Sequence, residues 1–166
     1  MYLCGILSER VLFLENNVQK PVTARSTKML AVITQYETGV IHGKLDCEFF
    51  EEPFIFTSIV RMIEMMETTF DTKGFPEQHL LPRTYSKAKQ RIRKHELDLQ
   101  ALIKEKSVVE TQPKPDGSTC SFEIWVRFRY NAEWQGHIIW TEKDITKEFS
   151  SVVELTRLID MALSSV

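Results

Sequence analysis

The sequence contains few of the features that mark secreted or membrane-anchored proteins. It has three cysteines in 166 residues, and Cys4, Cys47 and Cys120 lie far apart with no C-x-x-C pair among them, so no disulfide framework is expected. Polar residues at positions 8 to 10 interrupt the N-terminus before an apolar run reaches signal-peptide length. No stretch approaches the ~18 apolar residues of a membrane span. We therefore expect a cytoplasmic protein with reduced thiols and no membrane contact.

Patterns that carry catalysis or hold metals are scarce as well. The six glycines are dispersed, so the chain has no glycine-rich phosphate loop, and it has no G-x-S-x-G nucleophile elbow. The four histidines are scattered without the spacing of metal ligands. His42 and Cys47 are five positions apart, so they fall on opposite faces of a predicted strand. We expect no catalytic residues, no metal and no cofactor, which favours a binding protein over an enzyme.

No single sign of charge dominates. Lys and Arg total 21 against 23 Asp and Glu, which gives a net charge of −2, so the field of the whole molecule does not attract a polyanion. With 43% apolar and 27% charged residues, the chain has the composition of a globular protein. Any contact with nucleic acid must therefore come from a local patch.

The most informative feature that is present is a weak internal repeat with an offset of 93 residues. Three identities recur at this offset: Gly43 and Gly136, Phe56 and Phe149, Ser58 and Ser151. The apolar positions of the helix that follows each Ser stay in phase, as duplicated packing requires. We predict an internal duplication, and the alternative is two unrelated strand-to-helix units.

The second copy has the clearer pattern. Apolar and polar residues alternate from Phe122 to Tyr130 and from Trp134 to Trp140, which predicts two strands around a turn at 131–132. A short third strand ends at Phe149. Ser151 then begins a helix, because Ser151 and Glu154 have the spacing of a capping box.

The first copy is predicted to follow the same order, with strands over 29–36, 40–47 and 54–56 and a helix from Ser58. The fold class is therefore α+β, with two tandem strand-strand-strand-helix units whose helices pack against antiparallel sheet. We divide the chain into 1–83, which holds a strand-like N-terminal segment and the first unit, 84–106, a basic connecting helix, and 107–166, a linker and the second unit.

One face of the strand over 122–130 combines an aromatic ring with basic groups. The strict alternation puts Phe128 on the core face and Trp125, Arg127 and Arg129 on the opposite face, which we expect to include Gln135 and His137 too. Trp and Arg are enriched at interface hot spots. The neighbouring acids Glu123 and Glu133 would repel phosphate, so this face predicts a protein partner or a homodimer. The competing interpretation is that other parts of the chain cover it.

The connecting helix carries a basic cluster without an acid, formed by Lys87, Lys89, Arg91, Arg93 and Lys94. It predicts an anion or nucleic-acid contact as an alternative function. A solvated helix face is the simpler interpretation of the same residues. A third hypothesis is an enzyme with a small-ligand site between the repeats, since ligands often bind at such junctions.

The last 45 or so residues resemble an uncharacterised group of small bacterial proteins. The shared pattern is a strand, then Asn-x-x-Trp-Gln-Gly, a further strand, and Phe-x-Ser-x-x-Glu-Leu at a helix, matched here from Asn131 to Gly136 and from Phe149 to Leu155. Where the group tends to have Arg after the Phe, this chain has Ser150. The resemblance implies a bacterial origin and a three-strand-plus-helix unit, and it carries no known activity.

Overall fold

The computed structural model describes residue 22 and residues 27–37, 39–78, 98–107 and 120–165. In these ranges six strands form one antiparallel sheet in the order β3-β2-β1-β4-β5-β6, and three helices accompany it, so the predicted α+β class is confirmed. The elements are β1 (Lys28–Glu37), β2 (Val40–Cys47), β3 (Phe54–Phe56), α1 (Ile59–Lys73), α2 (Leu99–Lys106), β4 (Cys120–Tyr130), β5 (Glu133–Trp140), β6 (Ile145–Phe149) and α3 (Val152–Leu163).

The two predicted units share a single continuous sheet. β1 and β4 pair antiparallel at its centre, from Lys28 opposite Trp125 to Ile33 opposite Cys120. The strand-like segment predicted at 11–14 lies outside the described residues. No helix in the described ranges is long and apolar enough to cross a membrane.

The core lies between one face of the sheet and the apolar stripes of α1 and α3. Alternate strand residues are fully buried, as the period of two requires, and the helices bury residues three and four positions apart. The methionines of α1 belong to this core. The most deeply buried members include Met29, Ala31, Leu45, Phe56, Phe122, Ile124, Met62, Met66, Leu155 and Ile159.

Both long strands are interrupted by a β-bulge at corresponding positions. In β1 the register against β2 shifts between Ile33 and Gln35, and in β4 the register against β5 shifts between Val126 and Phe128. Each bulge adds one unpaired residue, Thr34 in β1 and Arg127 in β4, and these two residues are 93 positions apart. An inserted residue places every side chain beyond it on the face of the sheet opposite to the one that strict alternation would give.

Gly43 and Gly136 lie opposite the strand segments just before these bulges. A Cβ atom at Gly136 would stand 2.0 Å from the carbonyl oxygen of Trp125, and one at Gly43 would stand 2.3 Å from that of Val32. Glycine is therefore needed at both places because the neighbouring backbone occupies the space of a side chain.

The two long helices begin at the predicted serines. The Ser58 hydroxyl accepts the amide of Arg61 at 3.3 Å, and the Ser151 hydroxyl accepts that of Glu154 at 3.0 Å. The reciprocal half of the box differs from expectation, because the Glu154 carboxylate accepts the amide and hydroxyl of Ser150, at 2.7 and 2.8 Å, instead of the amide of Ser151. The carboxylate thus holds the residue before the cap.

Of the connecting helix predicted over 84–106, the described residues include only the end, where α2 spans Leu99–Lys106. Asp98 has an extended backbone and caps α2, so the helix begins at Leu99 and the prediction of helix at 98 is wrong. Positions 84–97 lie outside the described ranges. Gln100 ties α2 to the loop after β2 through Phe49 and Glu51, and the Ser107 hydroxyl accepts the amide of Ile55 on β3. α2 therefore covers the β3 edge of the sheet.

Candidate functional site

The bulge at Arg127 rearranges the face that the sequence singled out. Beyond it, Phe128 pairs with Gln135 and Arg129 pairs with Trp134. Directly paired residues point to the same side of a sheet, and Trp134 is part of the core. Arg129 therefore points toward the helices and Phe128 points away from them. The predicted positions of Arg129 on the open face and Phe128 in the core are both wrong.

Arg129 is held inside the protein, with only 3% of its surface exposed. Its Nε donates to the carbonyl oxygen of Pro76 at 2.8 Å, and its Nη1 donates to the Asp71 carboxylate at 2.6 Å. The guanidinium also lies 5.6 Å from the ring centroid of Phe70. These contacts fasten the end of α1 to β4, so Arg129 stabilises the fold and does not contribute to a surface site.

The two-residue turn predicted at 131–132 is the signal in the sequence that locates this bulge. The structure has that turn, since Asn131 and Ala132 both have positive φ, 52° and 61°, as a two-residue hairpin turn requires. Such a turn pairs even-numbered residues of β4 with odd-numbered residues of β5. The core residues are nevertheless even-numbered in both strands, as in Ile124 and Ile138. One extra residue between them is the only way to satisfy both patterns.

The sheet face away from α1 and α3 carries a cluster that we call the open-face patch: Lys28, Trp125, Arg127, Phe128, Gln135 and His137. Within it the Arg127 guanidinium lies 5.7 Å from the Trp125 ring centroid and 5.5 Å from that of Phe128. His137 meets Trp125 edge to face, with ring centroids 4.7 Å apart. Phe128 is 51% exposed. The structure thus brings together four of the five predicted site residues and adds Phe128 and Lys28.

Among the described residues, one cation of the patch has no acidic partner. Lys28 forms an ion pair with Glu123 and lies 5.5 Å from the Trp125 ring. Arg127 is exposed and, within the described ranges, makes no hydrogen bond or ion pair. Burial and the nearby charges of Arg127 and Lys28 lower the pKa of His137, against a smaller opposite effect of Glu123 and Glu148. The two cations therefore act more strongly on His137 than the two carboxylates do.

Two further sites were predicted, the basic cluster of the connecting helix and the junction between the units. Lys87, Lys89, Arg91, Arg93 and Lys94 lie outside the described residues, so the nucleic-acid hypothesis stays a prediction. At the junction between the units β1 pairs with β4, and the hypothesis of a small-ligand site there stays a prediction. One cavity lies elsewhere, at the β3 edge, where it is lined by Ile55, Ile103 and Lys104 among others.

Neither of the two described cysteines is an activated nucleophile. Burial raises the pKa of the Cys47 thiol to about 11, which keeps it protonated and unreactive at neutral pH. The pKa of Cys120 is raised by burial as well. In the described ranges no three His, Cys, Asp or Glu side chains are grouped so that they could hold a metal ion.

Together the fold and the patch define a class of protein: an α+β protein with helices on one face of the sheet and an aromatic and basic cluster on the other. No protein-family model matches the chain, and no curated protein or solved structure matches it either. The patch itself is therefore the basis on which a function is proposed.

Proposed function

We propose that this protein is a non-enzymatic binding module that contacts another protein through its open-face patch. The observation that carries the proposal is the Arg127 guanidinium, which is exposed and lies close to the rings of both Trp125 and Phe128. Large aromatic side chains supply most of the contact area of interface hot spots, and Arg adds directional hydrogen bonds. Exposed groups of both kinds on one rigid sheet suit a recognition surface.

The charges around the patch favour protein over nucleic acid as the partner. Phosphate backbones are bound by several cations acting together, whereas Lys28 is paired with Glu123. Glu133 follows the β4–β5 turn and is exposed, and Glu148 lies opposite His137 on β6. These carboxylates would oppose a polyanion that covered the patch.

The test is copurification from the protein's own host, with a photo-crosslinking amino acid at Gln135 to identify direct contacts. We expect crosslinks to one protein at constant stoichiometry, lost in the double variant Trp125→Ala with Arg127→Glu. Arg157→Glu is the matched control, because it makes the same charge change on the exposed surface of α3. If the double variant keeps the crosslinked partner, the open-face patch is not the binding surface.

We also propose that the two halves arose by internal duplication. Support comes from the offset of 93 residues, which relates the two bulges, Thr34 and Arg127, and the two cap serines, Ser58 and Ser151. The same offset relates Gly43 paired with Phe56 to Gly136 paired with Phe149. An experimental structure whose residues 28–73 cannot be superposed on the residues 93 positions later would refute the duplication.

The setting that fits this proposal is the bacterial cytoplasm. The bacterial origin is implied by the resemblance of the Trp134-Gln135-Gly136 region to small bacterial proteins. Cys47 and Cys120 are free thiols in the structure, as expected where glutathione and thioredoxin keep cysteines reduced. Fractionation of the host cells, with detection of the native protein, tests the location.

A further inference from the structure

We infer that the open-face patch binds an acidic peptide segment, with a carboxylate of the partner held on Arg127 and an apolar side chain beside it. This inference depends on the proposed function, and it names the chemistry of the partner. Arg127 is the group of the patch that selects the partner.

The backbone places Arg127 where a carboxylate could reach it. In a regular strand, residues 127 and 128 would point to opposite faces, but the bulge lets Trp125, Arg127 and Phe128 share the open side of the sheet. The guanidinium lies 5.7 and 5.5 Å from the centroids of the Trp125 and Phe128 rings. Its N–H groups have no acceptor within the described ranges, and a planar fork of this kind suits a carboxylate with two parallel hydrogen bonds.

The charge balance points to an anion as the missing partner. Lys28 is neutralised by Glu123, so among the described residues Arg127 is the cation of the patch that has no acidic partner. One such cation between carboxylates fits a single carboxylate better than a row of phosphates.

The neighbouring surface requires an apolar group next to that carboxylate. Phe128 is 51% exposed, and its ring centroid lies 5.5 Å from the Arg127 guanidinium. Burying an aliphatic or aromatic residue of the partner against this ring contributes about 25 cal/mol per Å² of apolar surface removed from water. A peptide with a single acidic residue beside apolar residues therefore fits better than a purely acidic one.

The test uses the full chain and two fluorescein-labelled peptides of equal length. The Glu-Leu peptide has a single Glu flanked by Leu in an otherwise neutral Gly-Ser sequence, and the Lys-Leu peptide has Lys in place of that Glu. Fluorescence anisotropy at low salt should show binding of the Glu-Leu peptide only. Arg127→Glu should weaken it by about tenfold or more, equivalent to one charge-assisted contact. Arg127→Lys should give an intermediate affinity, because it keeps the charge and loses the fork. Arg157→Glu should leave the affinity unchanged, and circular dichroism checks that each variant is folded.

Several results would overturn the inference. Equal binding of both peptides, or an affinity that Arg127→Glu does not change, would show that Arg127 does not select the ligand. Tighter binding of a single-stranded oligothymidine that is lost in Arg127→Glu would make nucleic acid the partner. A dimer in sedimentation analysis that Arg127→Glu dissociates would make a second copy of this chain the partner.

The inference and the proposed function can fail separately. If the host partner is lost with the double variant but no acidic peptide binds, the binding module stands and the acidic class is wrong. If the Glu-Leu peptide binds through Arg127 while crosslinking finds no host partner at the patch, the chemistry of the patch stands and the proposed function is wrong.

Discussion

The bulges of β1 and β4 have the same backbone arrangement but different side chains. The bulge in β1 presents Val32, Thr34 and Gln35, and the corresponding positions of β4 are Trp125, Arg127 and Phe128. Each lies across from a glycine on the neighbouring strand. The strand pairing is therefore kept in both halves while the surface chemistry differs, and only the bulge in β4 combines aromatic rings with a guanidinium.

A second pair of corresponding residues shows how the halves hold each other. Tyr36 near the end of β1 donates a hydrogen bond to Asp160 at 2.7 Å and lies 3.1 Å from Ser164, at the end of α3. Arg129, 93 positions later, binds Asp71 at the end of α1. Each long strand thus fastens the helix that belongs to the other half. The Tyr36 contact is exposed and the Arg129 contact is buried, so their energies should differ.

The largest loss of stability is expected at the two glycines opposite the bulges, because the adjacent backbone leaves no room there for a side chain. Gly136→Ala and Gly43→Ala should each lower the free energy of unfolding by about 3 kcal/mol, because the new methyl group collides with a carbonyl oxygen of the adjacent strand. Urea denaturation measures the change. The effect at Gly136 should be the greater, since its clearance is smaller.

Gly39 supplies a control for these two substitutions. It has φ of +80° in the β1–β2 turn, and a Cβ there would meet no atom within 4 Å. Gly39→Ala should therefore cost only about 1 kcal/mol, from the backbone conformation alone. Equal losses at Gly39 and Gly136 would contradict the explanation by strand clearance.

An intermediate effect is expected for the contacts that join each strand to the opposite helix. Arg129→Met should lower the free energy of unfolding by about 2 kcal/mol, because Asp71 and the Pro76 carbonyl lose their donor. The loss is below that of a fully buried ion pair, since the Asp71 side chain is 28% exposed. Tyr36→Phe should cost about 0.5 kcal/mol.

A double-mutant cycle tests whether the Arg129 energy belongs to this ion pair. Asp71→Asn in the wild type and in the Arg129→Met background should give a coupling of about 1 kcal/mol. Additive losses, or a larger loss for Tyr36→Phe than for Arg129→Met, would show that the two contacts do not differ as their burial predicts.

The sequence predicts the elements better than it predicts the faces of β4. The patterns around β2, β3 and both long helices give their positions closely, because alternation, cap serines and helical spacing are local properties. The side of the sheet to which Arg129 points depends on the register between β4 and β5. The alternation of residues within one strand gives no information about that register. Comparing the turn at 131–132 with the core positions of both strands reveals the bulge. The start of α2 at Leu99 was missed because apolar spacing outweighed the capping preference of Asp98.

The smallest effect is expected on the pH dependence of stability and concerns the first turns of α1 and α3, of which only that of α3 has a carboxylate beside the cap. Hydrogen bonds from the amide and then the hydroxyl of Ser150 lower the pKa of Glu154, whereas α1 has Arg61 at the corresponding position. A carboxyl whose pKa is lower in the folded state stabilises the fold above its unfolded pKa of about 4.3. That contribution is lost as the pH falls through the lower folded pKa. Glu154→Gln should therefore reduce the acid dependence of unfolding in this range.

Amide chemical shifts from NMR distinguish this local effect from general acid denaturation. The Ser150 amide should titrate with the Glu154 carboxyl in the wild type and lose that titration in Glu154→Gln, since the amide is bonded directly to the carboxylate. Thr57 is the comparison, because it precedes the cap of α1 as Ser150 precedes that of α3, and position 61 offers it no carboxylate. A titration of Ser150 that persists in the variant would assign the shift to another acid and contradict the explanation by the Glu154 carboxylate.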